Sequence, residues 1–314
     1  MAESAVLPRV VAIIGPTGSG KAALGREAAR RLSLPVLVCD SVKVYRGLDI
    51  GSAKPTAEHR AAVRHELLDL VDPDETFSAG DYARHAAPHL RDGRALFVGG
   101  TGFYLRAVGW THSSGVGGVD LPPDDPQRVA FDERWQQRER DDAGALHRAL
   151  TALDADTAAS IHPNNHVRLL RALWLCERTG GPISAARQAD PPRACVRLLL
   201  VVVEPPPEIL EHRLRARLDR MLTAGWLREV EKLREAGYDA RHKAMRSLGY
   251  RQLLDVLEGH DTLADAREKI LVATRQYARR QRTYIRTQLP AEQTITLRDP
   301  SDCPWEQVEG FLHE

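Results

Sequence analysis

Lys21 closes a glycine-rich run, Gly15-Pro16-Thr17-Gly18-Ser19-Gly20-Lys21, that follows an apolar stretch and precedes a helical pattern. Glycines let successive backbone N–H groups converge on an anion, the helix N-terminus adds partial positive charge, and the lysine adds a full one. The chemistry this supports is capture of a polyphosphate. The motif ordinarily continues with Ser or Thr, whose hydroxyl reaches Mg²⁺. Here Ala22 and Ala23 follow, which leaves three alternatives: another oxygen holds the metal, metal dependence is weakened, or activity is lost. Two further polar residues stand just past apolar runs. Asp40 reads either as a turn or N-cap carboxylate or as a proton acceptor beside the phosphate site. Thr101 reads either as a turn hydroxyl or as a group that positions the anion and its metal.

Four apolar runs have the look of buried parallel strands: residues 9–14 (RVVAII), 34–39 (LPVLVC), 95–98 (ALFV) and 196–203 (VRLLLVVV). Helical patterns separate them, and the first carries Leu24, Ala28, Ala29 and Leu32 on one face. The expected class is α/β with a mostly parallel sheet. Ligands of such sheets bind beyond the carboxyl ends of the strands, where Lys21, Asp40 and Thr101 all fall.

The 314 residues suffice for one large core or a core with a smaller domain. Lys and Arg number 44 against 43 Asp and Glu, so an anionic partner must be met by a local patch. Cys39, Cys176, Cys195 and Cys303 lack the spacing of a zinc site or a disulfide framework and fit a reducing compartment. No apolar stretch reaches the ~18 residues of a membrane span and the first residues lack a signal-peptide profile, so a cytoplasmic, membrane-free protein is expected.

Residues 113–190 change character. A Gly/Ser/Pro-rich stretch, SSGVGGVDLPPDDP, leads into charged helical sequence, and then into HPNNHVRLLRALWLCERTGG. There Asn164 or Asn165 serves as a cap, with Leu169, Ala172, Leu173 and Cys176 on the apolar face. The expected organisation is a core in two parts, 1–112 and 191–314, around an all-helical insert at 113–190, with the part after the fourth strand nearly all helix. The last long helix, about 263–286, holds five arginines and no acid between Val272 and Thr287. Arg275, Arg279, Arg282 and Arg286 share one face, and Tyr277 and Tyr284 are available for stacking, a combination that suits a nucleic-acid backbone.

Taken in order, GPTGSGK, DSVKVYRGLDIGSAKP, LLDLVDPDETFSAGDY, VGGTGFYLRA, IHPNNHVRLLRAL, RLDRMLTAGWLREVEKL, RSLGYRQ and ATRQYARRQRTYIR resemble the bacterial-type tRNA dimethylallyltransferases, the isopentenyl-diphosphate:tRNA transferase family, almost end to end. The resemblance implies a P-loop NTPase-like fold and a monomer acting on the tRNA anticodon stem–loop. It implies transfer of the dimethylallyl group of dimethylallyl diphosphate to N6 of the adenosine just 3′ of the anticodon, with Mg²⁺ as cofactor. It assigns Gly15, Pro16, Thr17, Gly18, Ser19, Gly20, Lys21 and Ala22 to the diphosphate. Asp40 becomes the base, Thr101 a bridge to phosphate and metal, and Arg217 a further diphosphate contact. The implied tRNA contacts are Asp40, Ser41, Val42 and Lys43; Arg168 and Arg171; Arg246, Gly249, Tyr250 and Arg251; and Arg279, Arg280, Gln281, Arg282, Thr283 and Arg286. The chain departs from the family pattern at Ala22, at Lys43 in place of glutamine, at Glu66 in place of histidine, at Trp174 in place of glutamate and at Tyr284 in place of tryptophan. Two other functions stand beside this one: prenyl transfer to a free adenine nucleotide, and a catalytically weakened tRNA-binding protein. A small-molecule kinase has only the phosphate loop in its favour.

Overall fold

In β1 (Arg9–Ile14) every residue after Arg9 is buried, as expected of a strand covered on both faces. A computed structural model describes residues 6–111 and 125–313. Around β1 lie β2 (Val36–Cys39), β3 (His65–Glu66), β4 (Arg94–Gly99), β5 (Arg197–Val203) and β6 (Gln293–Leu297), in the spatial order β3-β2-β4-β1-β5-β6. Every pairing is parallel, so helical crossovers must cover the faces. One of these is α1 (Lys21–Leu32), which packs Leu24, Ala28, Ala29 and Leu32 against Val11 and Ile13 of β1 and Val98 of β4. The four apolar runs are strands, and the fold is the α/β, P-loop-like parallel sheet flanked by helices that was expected.

Two strands carry no comparable sequence signal. β3 has only two residues, and β6 (QTITL) is a half-exposed edge whose alternating pattern is short and polar. The part after β5 is therefore not all helix.

The chain divides into two compact units, residues 1–109 with 195–314, and residues 110–194. In the first unit, α1 is followed by α2 (Ala57–Ala62), α3 (Ala79–Ala86) and α4 (Gly102–Gly109). The second unit contains α5 (Pro126–Asp141), α6 (Ala145–Leu153), α7 (Ala155–Ala159), α8 (His166–Thr179) and α9 (Ile183–Ala189). Back in the first unit, β5 leads to α10 (Pro207–Thr223), α11 (Trp226–Glu235), α12 (Tyr250–Leu257), α13 (Leu263–Gln288) and, past β6, α14 (Trp305–His313).

Asn165 caps α8 by accepting from the Arg168 N–H at 3.3 Å. Trp174 is buried in the second unit's own core, edge-on to Phe131. Inside the same unit Asp154 ties α7 to α9, accepting from Thr157 N–H at 3.0 Å, Thr157 Oγ1 at 2.8 Å and Ser184 N–H at 2.9 Å. Burial alone raises a carboxyl's pKa; here the hydrogen bonds win and hold it at about 2. Most of the Gly/Ser/Pro-rich stretch, residues 112–124, lies outside the described residues. The four cysteines form no disulfide, and no described helix is long and apolar enough to cross a membrane.

Candidate active site

Parallel register sets the site. Ile14 pairs with Gly99 and Gly99 with Cys39, so β1, β4 and β2 end in one row. The residues that follow them, Gly15, Gly100 and Asp40, leave the sheet side by side, with neighbours about 5 Å apart. Their closeness is visible in hydrogen bonds. The N–H groups of Gly100 and Thr101 donate to Cys39 O at 3.1 and 3.2 Å, and Ser41 N–H donates to Thr101 Oγ1 at 3.1 Å. The Cys39 thiol, buried beneath this row, is pushed up to about 12 by desolvation and so plays no part as a nucleophile.

The loop after β1 is held as an open cradle. Gly18 and Gly20 have φ of 79° and 96°, a region that L side chains adopt only under strain. Gly20 is the N-cap of α1. The N–H groups of Gly18, Gly20 and Ala22 find no acceptor among the described residues, leaving three donors at a helix N-terminus for an anion. Lys21 Nζ folds back to donate to Pro16 O at 2.9 Å. Its pKa is lowered to about 7, chiefly by burial, then by Arg217 and Lys43, with Asp40 opposing. Burial likewise lowers the pKa values of Lys43 and Arg217, each with Asp40 acting in the opposite direction. Three cations therefore face one carboxylate, and the excess positive charge calls for a bound anion.

Asp40 makes the turn of the first reading. Its Oδ1 accepts from the N–H groups of Val42 at 2.9 Å and Lys43 at 3.3 Å, a turn that fixes the loop. Its Oδ2 makes no hydrogen bond to a described residue. Ser41 and Val42 are half-buried in the same turn. Thr101 keeps a lone pair beyond the bond from Ser41, and Tyr277 faces it. Burial, then the Asp40 charge, raises the phenol pKa of Tyr277, while a hydrogen bond with Thr101 opposes. Arg217 Nη2 also reaches Ser52 O at 3.5 Å.

The residues assigned to tRNA separate into groups. Arg279, Arg280, Thr283 and Arg286 are exposed on α13; Arg280 lies 6.0 Å from the centre of the Tyr277 ring, and Arg279 and Arg286 make no ion pair among the described residues. Arg275 and Arg282, read from the spacing as part of the same free stripe, are bound to Glu211 and Glu204. The acids absent from residues 272–287 come from α10 and from the turn after β5. Arg246 and Arg251 are exposed and line a hollow with Leu254, Asp255 and Glu258. In the helical unit Arg168 and Arg171 are exposed on α8.

Three of the residues assigned to tRNA are turned inward in the structure. The Tyr250 side chain is wholly buried, donating its hydroxyl to Glu229 Oε1 at 2.7 Å and standing edge-on to Trp226. At Gly249 a Cβ would lie 1.9 Å from the Trp226 ring, so this glycine provides room for the indole. Gln281 is buried, with its carboxamide between Thr17 and Gly100. These side chains are committed to the interior because packing takes the same inward face of the helix or turn that the motif presents. The sequence reading missed Glu229, which also accepts the N–H groups of Asp49, Ile50 and Gly51 and so pins the loop after Lys43. It missed Arg213 as well, which donates to Ser19 O at 3.1 Å. Partners about 180 and 194 residues apart in the chain leave no local signal.

The IPP transferase family model matches residues 43–288. The chain belongs to that family. It is 41% identical over 97% of its length to a tRNA dimethylallyltransferase of Geobacter metallireducens, of which it covers 98%. It is also 41% identical, over 98% of its length and 99% of the relative, to a tRNA dimethylallyltransferase of Gloeobacter violaceus. The crystal structure of the full-length tRNA isopentenylpyrophosphate transferase of Bacillus halodurans matches with a TM-score of 0.64 and 32% identity, over 98% of this chain and 94% of that one. Of the departures read from the sequence, Lys43, Glu66, Trp174 and Tyr284 lie inside the matched span and Ala22 precedes it. Glu66 pairs with Arg64 at the edge of the sheet.

Proposed function

We propose that the protein transfers the dimethylallyl group of dimethylallyl diphosphate to N6 of the adenosine just 3′ of the anticodon in tRNA, releasing diphosphate. The observation that carries this is the row beyond β1, β4 and β2. After β1 stand three loop N–H groups without a described acceptor, and Lys21, Lys43 and Arg217 all interact electrostatically with the carboxylate of Asp40, whose Oδ2 makes no hydrogen bond to a described residue. The N6 lone pair forms a bond to the allylic C1, the C1–O bond breaks, and its electron pair leaves on the diphosphate. The loop N–H groups, Lys21 and Arg217 stabilise the charge gathering on the leaving group. Asp40 Oδ2 takes the N6 proton, and Oδ1 keeps the carboxylate oriented. Adenine must leave the anticodon stack to reach this row, which costs a few kcal/mol that protein contacts offset. The unpaired Arg279 and Arg286, with Arg280, give α13 a surface for the RNA backbone, favouring tRNA over a free nucleotide as acceptor.

The donor set fits Mg²⁺ only in part. Ala22 exposes a methyl group where a hydroxyl would serve, while Thr101 Oγ1 has a lone pair to spare. Mg²⁺ retains waters and binds substrate phosphates readily, so Thr101 would hold it together with the diphosphate oxygens, where it would further neutralise leaving-group charge.

The test is incubation of the protein with dimethylallyl diphosphate, Mg²⁺ and unmodified tRNA, followed by nucleoside mass analysis. A dimethylallyl mass gain on adenosine is the expected result. Transfer to AMP with none to tRNA would move the acceptor to a free nucleotide, and bound tRNA with no product at any Mg²⁺ concentration would leave an RNA-binding protein.

A further inference from the structure

Gln281 lies on α13 among arginines that face outward, yet its side chain is 7% exposed and points the other way. Its Oε1 accepts from Thr17 N–H at 2.9 Å, and its Nε2 donates to Gly100 O at 2.9 Å. The orientation of the amide is fixed by its partners, since a backbone N–H requires the oxygen and a carbonyl requires the NH₂. An ionised glutamate, the same length, would offer two acceptors and no donor. Gly100 is shaped for it as well: a Cβ there would stand 2.2 Å from Gln281 Nε2. The bridge spans the loops that follow the neighbouring strands β1 and β4. Ion pairs of Arg275 with Glu211 and Arg282 with Glu204 hold α13 on either side of it.

We propose that Gln281 is a positioning residue that sets the shape of the phosphate loop by clamping Thr17 to Gly100, and that it makes no contact with RNA. By taking the Thr17 N–H, the carboxamide determines which loop donors are left for the anion: those of Gly18, Gly20 and Ala22. Donors fixed before the anion arrives need no reorganisation as charge develops, the condition under which such groups contribute most. The same clamp makes the inner face of the RNA-facing helix a wall of the diphosphate site. The proposal rests on the diphosphate reading of the loop, but its test does not require turnover.

The experiment measures, on the full chain, inorganic pyrophosphate binding by calorimetry, tRNA binding by fluorescence anisotropy, and steady-state KM and kcat. Gln281→Met is expected to weaken pyrophosphate binding about tenfold, the usual scale for orphaning buried polar groups. KM for dimethylallyl diphosphate should rise in parallel, with tRNA affinity within about twofold of wild type. Gln281→Glu supplies a readout that loss of packing does not mimic. Ionised, it lacks the donor for Gly100 O; protonated, it regains it. Its deficit relative to wild type should therefore be large at pH 8 and shrink at pH 6. Gly100→Ala displaces the amide from the other side and keeps the proposal refutable if Gln281→Met does not fold. Weakened tRNA binding with unchanged pyrophosphate binding would overturn the proposal in favour of an RNA contact, and no change in either would overturn it outright. A wild-type protein that binds pyrophosphate but prenylates no tRNA would refute the proposed reaction and leave the clamp to be judged on binding alone.

Discussion

Replacing Lys21 with methionine should make the protein more stable while abolishing its affinity for diphosphate. Burial and two neighbouring cations bring this ammonium from 10.5 to about 7. At about 1.4 kcal/mol per unit, keeping it charged at neutral pH opposes folding by up to roughly 4 kcal/mol. Methionine fills similar space without charge but gives up the hydrogen bond to Pro16 O, worth about 1 kcal/mol. The expected net gain at pH 7 is about 1–3 kcal/mol, or a rise in melting temperature of about 3–9 °C for a unit of this size. Between pH 7 and 10.5 the unfolded chain holds a proton at this site that the folded chain has released. Wild-type stability should therefore rise with pH across that window, and the rise should disappear in Lys21→Met. Calorimetric melts of both proteins from about pH 6.5 to 10 measure this, and pyrophosphate titration measures the other half. Pyrophosphate favours the charged lysine, so wild-type affinity should fall by up to about tenfold per unit above pH 7, although the ligand itself gains negative charge. A destabilised Lys21→Met, or one that binds pyrophosphate like wild type, would refute the view of Lys21 as a strained cation awaiting an anion.

Asp40→Asn preserves the acceptor for the Val42 and Lys43 N–H groups and removes the base. Single-turnover prenylation should slow by about 10²–10⁴-fold, with a lowered melting temperature because Lys21, Lys43 and Arg217 lose the charge that opposes theirs, and a near-normal rate would return Asp40 to a purely structural turn. The double replacement Arg279→Ala with Arg286→Ala should weaken tRNA binding and flatten the dependence of log K on log salt by about 0.7–0.9 for each phosphate that is no longer neutralised. The matching pair Arg275→Ala with Arg282→Ala should lower the melting temperature instead, because it removes the ion pairs that tie α13 to Glu211 and Glu204; equal loss of RNA affinity in both doubles would contradict the division of the stripe. Ala22→Ser places a hydroxyl at the first turn of α1 and should shift the Mg²⁺ titration of activity to lower concentration. An unmoved titration would mean that Thr101, diphosphate and water already complete the coordination.

How legible each part was depended on how local its cause is. Runs such as VVAII and LLLVVV can hardly be anything but strands buried on both faces, and Leu24, Ala28, Ala29 and Leu32 form a stripe fixed by the helical repeat. The phosphate loop was equally plain, because anion binding by N–H groups requires glycines at close spacing. β6 was not legible, since a half-exposed edge strand needs little apolar sequence and owes its place to pairing with β5. The arginine stripe was half legible. Helical spacing put four arginines on one face, but Glu204 and Glu211, which neutralise two of them, lie 78 and 64 residues away in the chain.

By itself, then, the sequence determined the four buried strands, the glycine-rich loop and the family, because these depend on residue type at short spacing. Tertiary structure alone decided that Ile14, Gly99 and Cys39 end in one row, that Asp40 divides its two oxygens between holding a turn and standing free, and that Tyr250 and Gln281 turn inward. Those outcomes depend on register and on pairings between residues far apart in the chain, whose partners become neighbours only when the sheet closes and its helices pack against it.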